Sequence, residues 1–193
     1  MSHLSRTFFA RPTLEVARAL LGQRLVRVHN GQRLAGLITE TEAYIGEEDL
    51  GCHARAGLTA RTKVMYGPPG HAYVYFTYGM HWMLNVVAER EGFPAAVLLR
   101  AIVPSEGLAT MRRLRFDRPD RILTDGPAKL TQALSIDRAL NEHDLCAPDA
   151  VLFVEKAPAV PEAQVAYGPR IGLNNTPEPW KSKPWNFKVK SEA

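Results

Sequence analysis

Residues 24–44 read RLVRVHNGQRLAGLITETEAY and contain the strongest local structural signal in the chain. Two strand-like runs, Arg24–Val28 and Gln32–Tyr44, flank the dipeptide Asn30-Gly31. Asparagine followed by glycine favours the left-handed backbone angles of a tight turn between antiparallel strands. The stretch therefore predicts a β-hairpin whose second strand is long.

The sequence outside this hairpin predicts further strands and helices in no regular alternation. A helix is expected over Pro12–Leu21, where a proline suits the first turn and Gly22 ends the apolar pattern. The other predicted elements are helices over Glu106–Leu114, capped by Ser105, and over Pro127–Leu134, capped by Asp125, and strands over Ala72–Thr77, His81–Val87, Ala96–Ile102, Val151–Glu155 and Phe187–Lys190.

This mixture predicts the α+β class, with one compact domain over residues 1–193 in which helices flank a curved, mostly antiparallel sheet. A chain of 193 residues can bury one substantial core, and no repeat or linker divides it. Residues 45–70 are rich in glycine and proline and lack periodicity. Long loops of this kind are uncommon in compact domains and are often functional.

The composition excludes several classes of protein. With 46% hydrophobic and 23% charged residues, the chain is typical of a folded globular protein. It has no apolar run of about eighteen residues, and Met1–Ala10 lacks the features of a signal peptide. Its two cysteines, Cys52 and Cys146, suit a reducing compartment better than a disulfide scaffold. We therefore expect a cytoplasmic protein that is not secreted and has no membrane partner.

The formal net charge of +4 is mildly basic, and the charges are unevenly distributed. The charged groups are an acidic run (Glu40, Glu42, Glu47, Glu48, Asp49), an arginine cluster (Arg112, Arg113, Arg115, Arg118, Arg121) and tail lysines among aromatics (Trp180, Lys181, Lys183, Trp185, Phe187, Lys188, Lys190). Basic residues among aromatics can follow a phosphate backbone, although a solvated surface explains such runs at least as often.

The long strand of the hairpin ends in carboxylates. Because side chains alternate along a strand, Glu40, Glu42 and Tyr44 are expected on the same face as the apolar Leu34 and Ile38. This pattern fits a strand that leaves the core for solvent. It also fits a catalytic carboxylate placed beside an aromatic ring.

The second predicted hairpin favours the catalytic interpretation. Tyr73 and Tyr75 share a face, and Tyr78 lies at a turn beside Gly79. An enzyme that acts on a base of DNA extrudes it, stacks it on an aromatic face and fills the vacated space. Hydrolysis of a glycosidic bond also needs a carboxylate that accepts a proton from water.

Several long motifs resemble those of the alkyladenine (3-methyladenine) DNA glycosylases. They follow the family's order across nearly the whole chain, which is far more specific than one short pattern. The matching stretches are ITETEAYIGEEDLGCH (38–53), YVYFTYGMHWMLNVV (73–87), VLLRAIVPSEGL (97–108), GPAKLTQAL (126–134), YGPRIGL (167–173) and the tail that begins at Pro184-Trp185. The resemblance implies a compact α+β domain with a protruding β-hairpin that inserts into the minor groove of DNA.

The resemblance also implies the residues of a catalytic site. Glu42 would be the general base for the attacking water, and Arg100 would help to hold that water. Tyr44 would stack on one face of the flipped base, with His53 and Tyr75 on the other.

Further residues would contact the lesion and the DNA. Asn85 would line the pocket floor and exclude the 2-amino group of guanine. Tyr78 would be the intercalating wedge, with Met80 beside it at the hairpin tip, and Arg55 and Lys129 are candidate phosphate or loop contacts. The expected partner is damaged double-stranded DNA, which a monomer would bind in the nucleoid.

Three positions depart from the family pattern. Thr62 stands where asparagine is expected, Gly51 stands where alanine is common, and Asn186 replaces the arginine usual in the tail. These departures leave the predicted catalytic residues in place. They bear on loop stiffness, phosphate contacts and substrate preference.

The resemblance implies a monofunctional glycosylase that releases alkylated or deaminated purines and leaves an abasic site. The matching motifs offer no positioned amine for a lyase reaction. Neither a cofactor nor a metal is expected, because Cys52-His53 lacks the second ligand pair of a structural zinc site. Two alternatives are a nonenzymatic lesion-recognition protein and a small-molecule nucleoside hydrolase or nucleic-acid-associated transferase.

Overall fold

The hairpin around Asn30-Gly31 lies at the centre of the sheet. In the computed structural model, which describes residues 3–190, strand β1 (Arg24–His29) pairs antiparallel with β2 (Gln32–Ile45). Asn30 and Gly31 have φ angles of 49° and 75°, which are the left-handed values that a two-residue hairpin turn requires. The hairpin prediction is confirmed.

The remaining strands extend this hairpin into one antiparallel sheet. They are β3 (Ala72–Thr77), β4 (His81–Val87), β5 (Ala95–Glu106), β6 (Leu152–Glu155), β7 (Val165–Gly168) and β8 (Asn186–Val189). The order is β3-β4-β5-β2-β1-β6, and β8 pairs with both β2 and β7. Along β2, strand β5 occupies one edge, while β1 and then β8 share the other. Short helices accompany the sheet, so the α+β prediction is confirmed.

The helices cover the sheet and close the core. They are the α-helices α1 (Arg6–Phe9), α2 (Thr13–Leu20), α3 (Leu108–Leu114) and α4 (Pro127–Ala133), and the 3-10 helices His53–Ala56, Lys63–Tyr66, Asp120–Ile122, Arg138–Leu140 and Glu162–Gln164. Helix α2 is tied to the sheet by the Thr41 hydroxyl, which donates to the Ala17 carbonyl at 2.9 Å. Leu20, Leu99 and Met111 are fully buried between these layers. Between residues 3 and 190, no helix is long and apolar enough to cross a membrane.

The prediction that the even-numbered residues of β2 share one face along its length is wrong. The pairing of β2 with β5 skips Thr39 on one strand and then Arg100 on the other, so each strand carries an extra residue. A bulge of this kind shifts the alternation of side chains by one position. Ile38 therefore belongs to the main core before the bulge and Ala43 after it, which leaves Glu42 on the opposite face.

The predicted start of the helix at Glu106 and both predicted caps are also wrong. Glu106 ends β5, and α3 begins after Gly107, which has a φ of 74°. A side chain at Gly107 would collide with the Arg33 carbonyl, since an added Cβ would lie 2.6 Å from it. Ser105 donates to the Ala35 carbonyl instead of capping α3, and Asp125 pairs with a lysine of α4.

Candidate active site

A cavity of about 330 Å³ opens where β2, β3, β4 and β5 meet. Six residues predicted to contact the lesion, the water or the DNA line it: Tyr44, His53, Tyr75, Tyr78, Asn85 and Arg100. The start of α4 and the loop 171–173 complete the wall. The six predicted residues, which extend over 56 positions of the sequence from Tyr44 to Arg100, therefore meet at one site.

Glu42 lies directly behind the cavity wall and is completely buried. Its Oε1 atom accepts hydrogen bonds from the Ile171 backbone N–H at 2.7 Å and from Asn186 Nδ2 at 3.1 Å. Its Oε2 atom accepts from the Tyr44 hydroxyl at 2.8 Å and lies 3.4 Å from Arg100 Nη1. Tyr44 and Arg100, which contact Oε2, line the cavity, as does Ile171, whose backbone N–H contacts Oε1.

Arg100 joins Glu42 to a second carboxylate that sequence analysis left without a role. Its Nε atom donates to Glu40 Oε1 at 2.8 Å, and Asn186 Nδ2 donates to the same oxygen at 2.9 Å. Glu40 and Asn186 are both buried. The two carboxylates thus share one guanidinium and one amide, an arrangement that offsets their mutual repulsion.

Asn186 was interpreted from the sequence as a tail position that bears on phosphate contacts. In the structure Asn186 is buried and pairs opposite Glu42, where β8 joins β2. The two residues are 144 positions apart, and β8 is only four residues long. The motif match and the predicted strand Phe187–Lys190 marked this stretch, but neither indicated its contact with the carboxylates.

The aromatic walls combine Tyr44 with a cluster of His53, Tyr73 and Tyr75. The rings of His53 and Tyr75 meet edge to face, with centroids 4.6 Å apart, and His53 Nδ1 lies 3.0 Å from the Tyr73 hydroxyl. Burial, helped by two nearby arginines, lowers the pKa of His53 to about 4. The imidazole is therefore neutral at pH 7.

Tyr44 is held by contacts on two sides. Burial and the adjacent Glu42 carboxylate raise the pKa of the Tyr44 hydroxyl well above its ordinary value, so it stays protonated and donates to Glu42. The Arg170 guanidinium lies over the Tyr44 ring, 4.7 Å from the centroid. Trp185 lies 4.9 Å from the same guanidinium, which gives a cation between two aromatic rings.

Arg170 belongs to a buried ion pair that sequence analysis did not identify. Its two terminal nitrogens contact the Asp49 carboxylate at 2.5 and 2.7 Å, and both side chains are completely buried. Asp49 also accepts the backbone N–H groups of Ile45 and Gly51. An added Cβ at Gly51 would lie 2.8 Å from Arg170, so the glycine at this position makes room for the pair.

Asn85 is buried where β4 lies between β3 and β5. Its Nδ2 atom donates to the Tyr73 carbonyl at 3.0 Å. This bond fixes the amide beside the cavity, whose lining includes both Tyr73 and Asn85.

The tip of the β3–β4 hairpin carries exposed apolar side chains. Tyr78 is 81% exposed and Met80 is 67% exposed. Tyr78 has a φ of 52° and precedes Gly79, and the Met80 N–H closes the turn on the Thr77 carbonyl. A non-glycine residue with a positive φ at such a tip is uncommon, and it turns the aromatic ring out of the sheet.

The remaining candidate residues lie outside the cavity wall. Arg55 is exposed and donates to the Leu50 carbonyl at 2.8 Å, and Lys129 forms a surface ion pair with Asp125. Thr62 is buried, and its hydroxyl holds the loop by donating to the Gly57 carbonyl. Across residues 3–190 the structure groups no three His, Cys, Asp or Glu side chains as metal ligands.

The site combines a cavity lined by aromatics, a buried carboxylate behind it and an exposed aromatic at a hairpin tip. This combination is typical of proteins that act on extruded bases of nucleic acids. The model of the methylpurine-DNA glycosylase (MPG) family matches residues 7–193. The chain belongs to this family of DNA glycosylases, which confirms the resemblance found in the sequence.

Individual relatives agree with the family match. A protein from Methanocella arvoryzae is 52% identical over 188 residues, which cover 97% of this chain and 92% of the relative. One from Myxococcus xanthus is 49% identical over 190 residues (98% and 91%), and one from Carboxydothermus hydrogenoformans is 47% identical over 188 residues (97% and 95%). All three are provisionally named 3-methyladenine DNA glycosylases.

Proposed function

We propose that this protein is a monofunctional DNA glycosylase of base excision repair. It flips alkylated or deaminated purines out of duplex DNA, in the class of 3-methyladenine, 7-methylguanine, hypoxanthine and ethenoadenine. It then hydrolyses the N-glycosidic bond with a water activated by Glu42 and leaves an abasic site. The observation that carries the proposal is the Glu42 carboxylate, buried directly behind an aromatic cavity.

The hydrolysis needs one base and one group to orient the water. Glu42 Oε2 accepts a proton from water as the water oxygen attacks C1′ of the deoxyribose, and the base leaves with the electron pair of the glycosidic bond. Arg100 Nη1 lies only 3.4 Å from Oε2, so a water beside this gap can contact both groups. No amine nucleophile takes part in the step.

The cavity walls suit a flipped purine. Tyr44 stacks on one face of the base, and His53 and Tyr75 contact the other. Because the pKa of His53 is lowered to about 4, the imidazole adds no positive charge to this pocket at neutral pH. Uncharged aromatic walls accept both cationic and neutral damaged bases.

The hairpin tip and the surrounding cations would contact the duplex. Tyr78 fills the space that the flipped base leaves, with Met80 beside it, and Arg55 and Lys129 contact phosphates. The protein would act as a monomer on damaged double-stranded DNA in the cytoplasm, bound to the nucleoid. It would use neither a metal nor a cofactor.

One assay separates this function from its alternatives. We expect the protein to form abasic sites in a duplex with a single hypoxanthine and to release nothing from free deoxyinosine. Tight lesion binding without abasic sites would instead identify a nonenzymatic recognition protein. Release of base from the free nucleoside would identify a nucleoside hydrolase.

We expect Tyr78→Ala to impair base flipping more than bond cleavage. Flipping costs a few kcal/mol for a normal paired base and less for a poorly paired one. The loss of single-turnover rate should therefore shrink when the lesion lies opposite a poor partner or in single-stranded DNA. An equal loss in every context would show that Tyr78 is a packing residue.

We expect Asn85→Ser to admit guanine. The amide would clash with the 2-amino group of guanine, and removal of a clash costs the preferred base little. The excision rate of undamaged guanine opposite thymine, relative to hypoxanthine, should rise roughly ten- to a hundredfold, the effect of one pocket group. A variant that excises this guanine no faster than the parent would place the discriminating group elsewhere.

A further inference from the structure

Within residues 3–190, Asn186 is the one amide side chain that contacts both buried carboxylates, Glu40 and Glu42. Its Nδ2 atom lies 2.9 Å from Glu40 Oε1 and 3.1 Å from Glu42 Oε1. Asn186 is only 7% exposed, so water cannot readily replace these bonds. The amide stands between two like charges that would otherwise repel each other in a poorly solvated site.

The contacts of Glu42 divide between its two oxygens. Oε1 is bound by two donors, the Ile171 N–H and the Asn186 amide. Oε2 is bound by the Tyr44 hydroxyl and has the longer, 3.4 Å approach to Arg100. The bonds to Oε1 therefore fix the carboxylate in place, and Oε2 can still accept a hydrogen bond from a water at the cavity wall.

The backbone fixes Asn186 in this position. In the ladder between β2 and β8, Asn186 lies directly opposite Glu42, and on its other side it pairs with Gly168 of β7. Because strands on both sides fix the backbone of Asn186, only its side-chain torsions remain to be ordered when the amide binds a carboxylate. Asn186 is thus preorganised to orient its neighbour.

We propose that Asn186 is a positioning residue that anchors Glu42 Oε1, so that Oε2 is presented to the attacking water beside Arg100. Because Glu42 is the base only in the proposed function, this role of Asn186 rests on that proposal. In this role Asn186 contacts neither the base nor the water, and it acts through the carboxylates that it binds.

The test compares two Asn186 variants with the parent across pH 4.5 to 9, in a single-turnover assay on hypoxanthine-containing duplex. Asn186→Leu removes both hydrogen bonds and keeps a side chain of similar volume. The side chain of Asn186→Ser is too short to form these bonds and adds no apolar group. We expect single-turnover rates to fall roughly ten- to a hundredfold, the range for a lost hydrogen bond to a charged group. The acidic limb of the profile should move to higher pH, because the ionised carboxylate has lost a donor.

Three further measurements make the test decisive. Asn186→Gln keeps the donor and should recover most of the parent's acidic limb, while the affinity for lesion DNA should change less than about twofold in all variants. The role of Asn186 would be overturned if the rate fell while the acidic limb stayed in place. It would also be overturned if weaker DNA binding, or unfolding of both variants, explained the loss of rate. Glu42→Gln, assayed in parallel, distinguishes the failures: if it keeps the parent's rate, the assignment of the base fails, and the role of Asn186 fails with it.

Discussion

Glu42→Gln should abolish base release from a lesion-containing duplex while lesion binding changes little. The amide keeps the size of the side chain, but it cannot accept a proton from water, so the loss falls on the chemical step. Removal of a general base typically lowers a rate by about two to four orders of magnitude. We expect the upper part of this range, because Glu42 is completely buried and its Oε2 atom contacts Tyr44 and Arg100, which line the cavity.

The measurement is the single-turnover rate of abasic-site formation, with the dissociation constant for the same duplex determined separately. Glu48→Gln is the matched control, since Glu48 belongs to the same acidic run but is exposed. It should retain the parent's rate. Near-normal turnover by Glu42→Gln would remove Glu42 from the mechanism and leave only the base-binding part of the proposal.

Glu40 is not a suitable control for this experiment, although it belongs to the same strand. It accepts hydrogen bonds from Arg100 at 2.8 Å and from Asn186 at 2.9 Å. A change there would disturb the group that holds the water and the group that anchors Glu42. Its effect would therefore combine several causes.

Asp49→Asn should destabilise the fold by about 3–5 kcal/mol, the usual cost of leaving a buried charge without its partner. The substitution preserves shape, but Arg170 would then be a completely buried cation beside a neutral amide. Loosening of Arg170 would also release the ring of Tyr44 and the N–H of Ile171 that binds Glu42. The effect should therefore reach the active site.

Thermal unfolding tests this expectation. At roughly 2–4 °C per kcal/mol for a protein of this size, the midpoint should fall by about 6–20 °C. Asp120→Asn provides the control, because Asp120 forms a comparably short contact to Arg112 at the surface, where solvent screens the ion pair and its loss should change the midpoint little. Similar decreases in the unfolding midpoint of the two variants would show that the buried ion pair contributes no more to stability than the surface pair.

Local patterns predicted the parts of the fold that depend on neighbours in the sequence. The Asn30-Gly31 hairpin and the β3–β4 hairpin around Tyr78 were predicted because their turn residues adjoin the strands they connect. Six of the candidate site residues, including Tyr44 and Arg100, also line one cavity. Their catalytic roles remain predictions.

Local patterns could not predict features that require two distant segments. The ion pair of Asp49 and Arg170 joins residues 121 positions apart, and each looks like an ordinary surface charge in the sequence. The change of face in β2 follows from its pairing with β5, where Thr39 and Arg100 are both skipped. Strict alternation of side chains along β2 alone does not predict this change of face.

The bulge at Thr39 determines which residues of β2 face the core downstream of it. Upstream of Thr39 the even positions face the core, and downstream of it the odd positions do. The identity of the residue at Thr39 therefore matters less than its presence. A one-residue insertion or deletion beside Thr39 would exchange the faces of Glu42 and its apolar neighbour Ala43, so a change of length here is far more disruptive than a substitution of Thr39 itself.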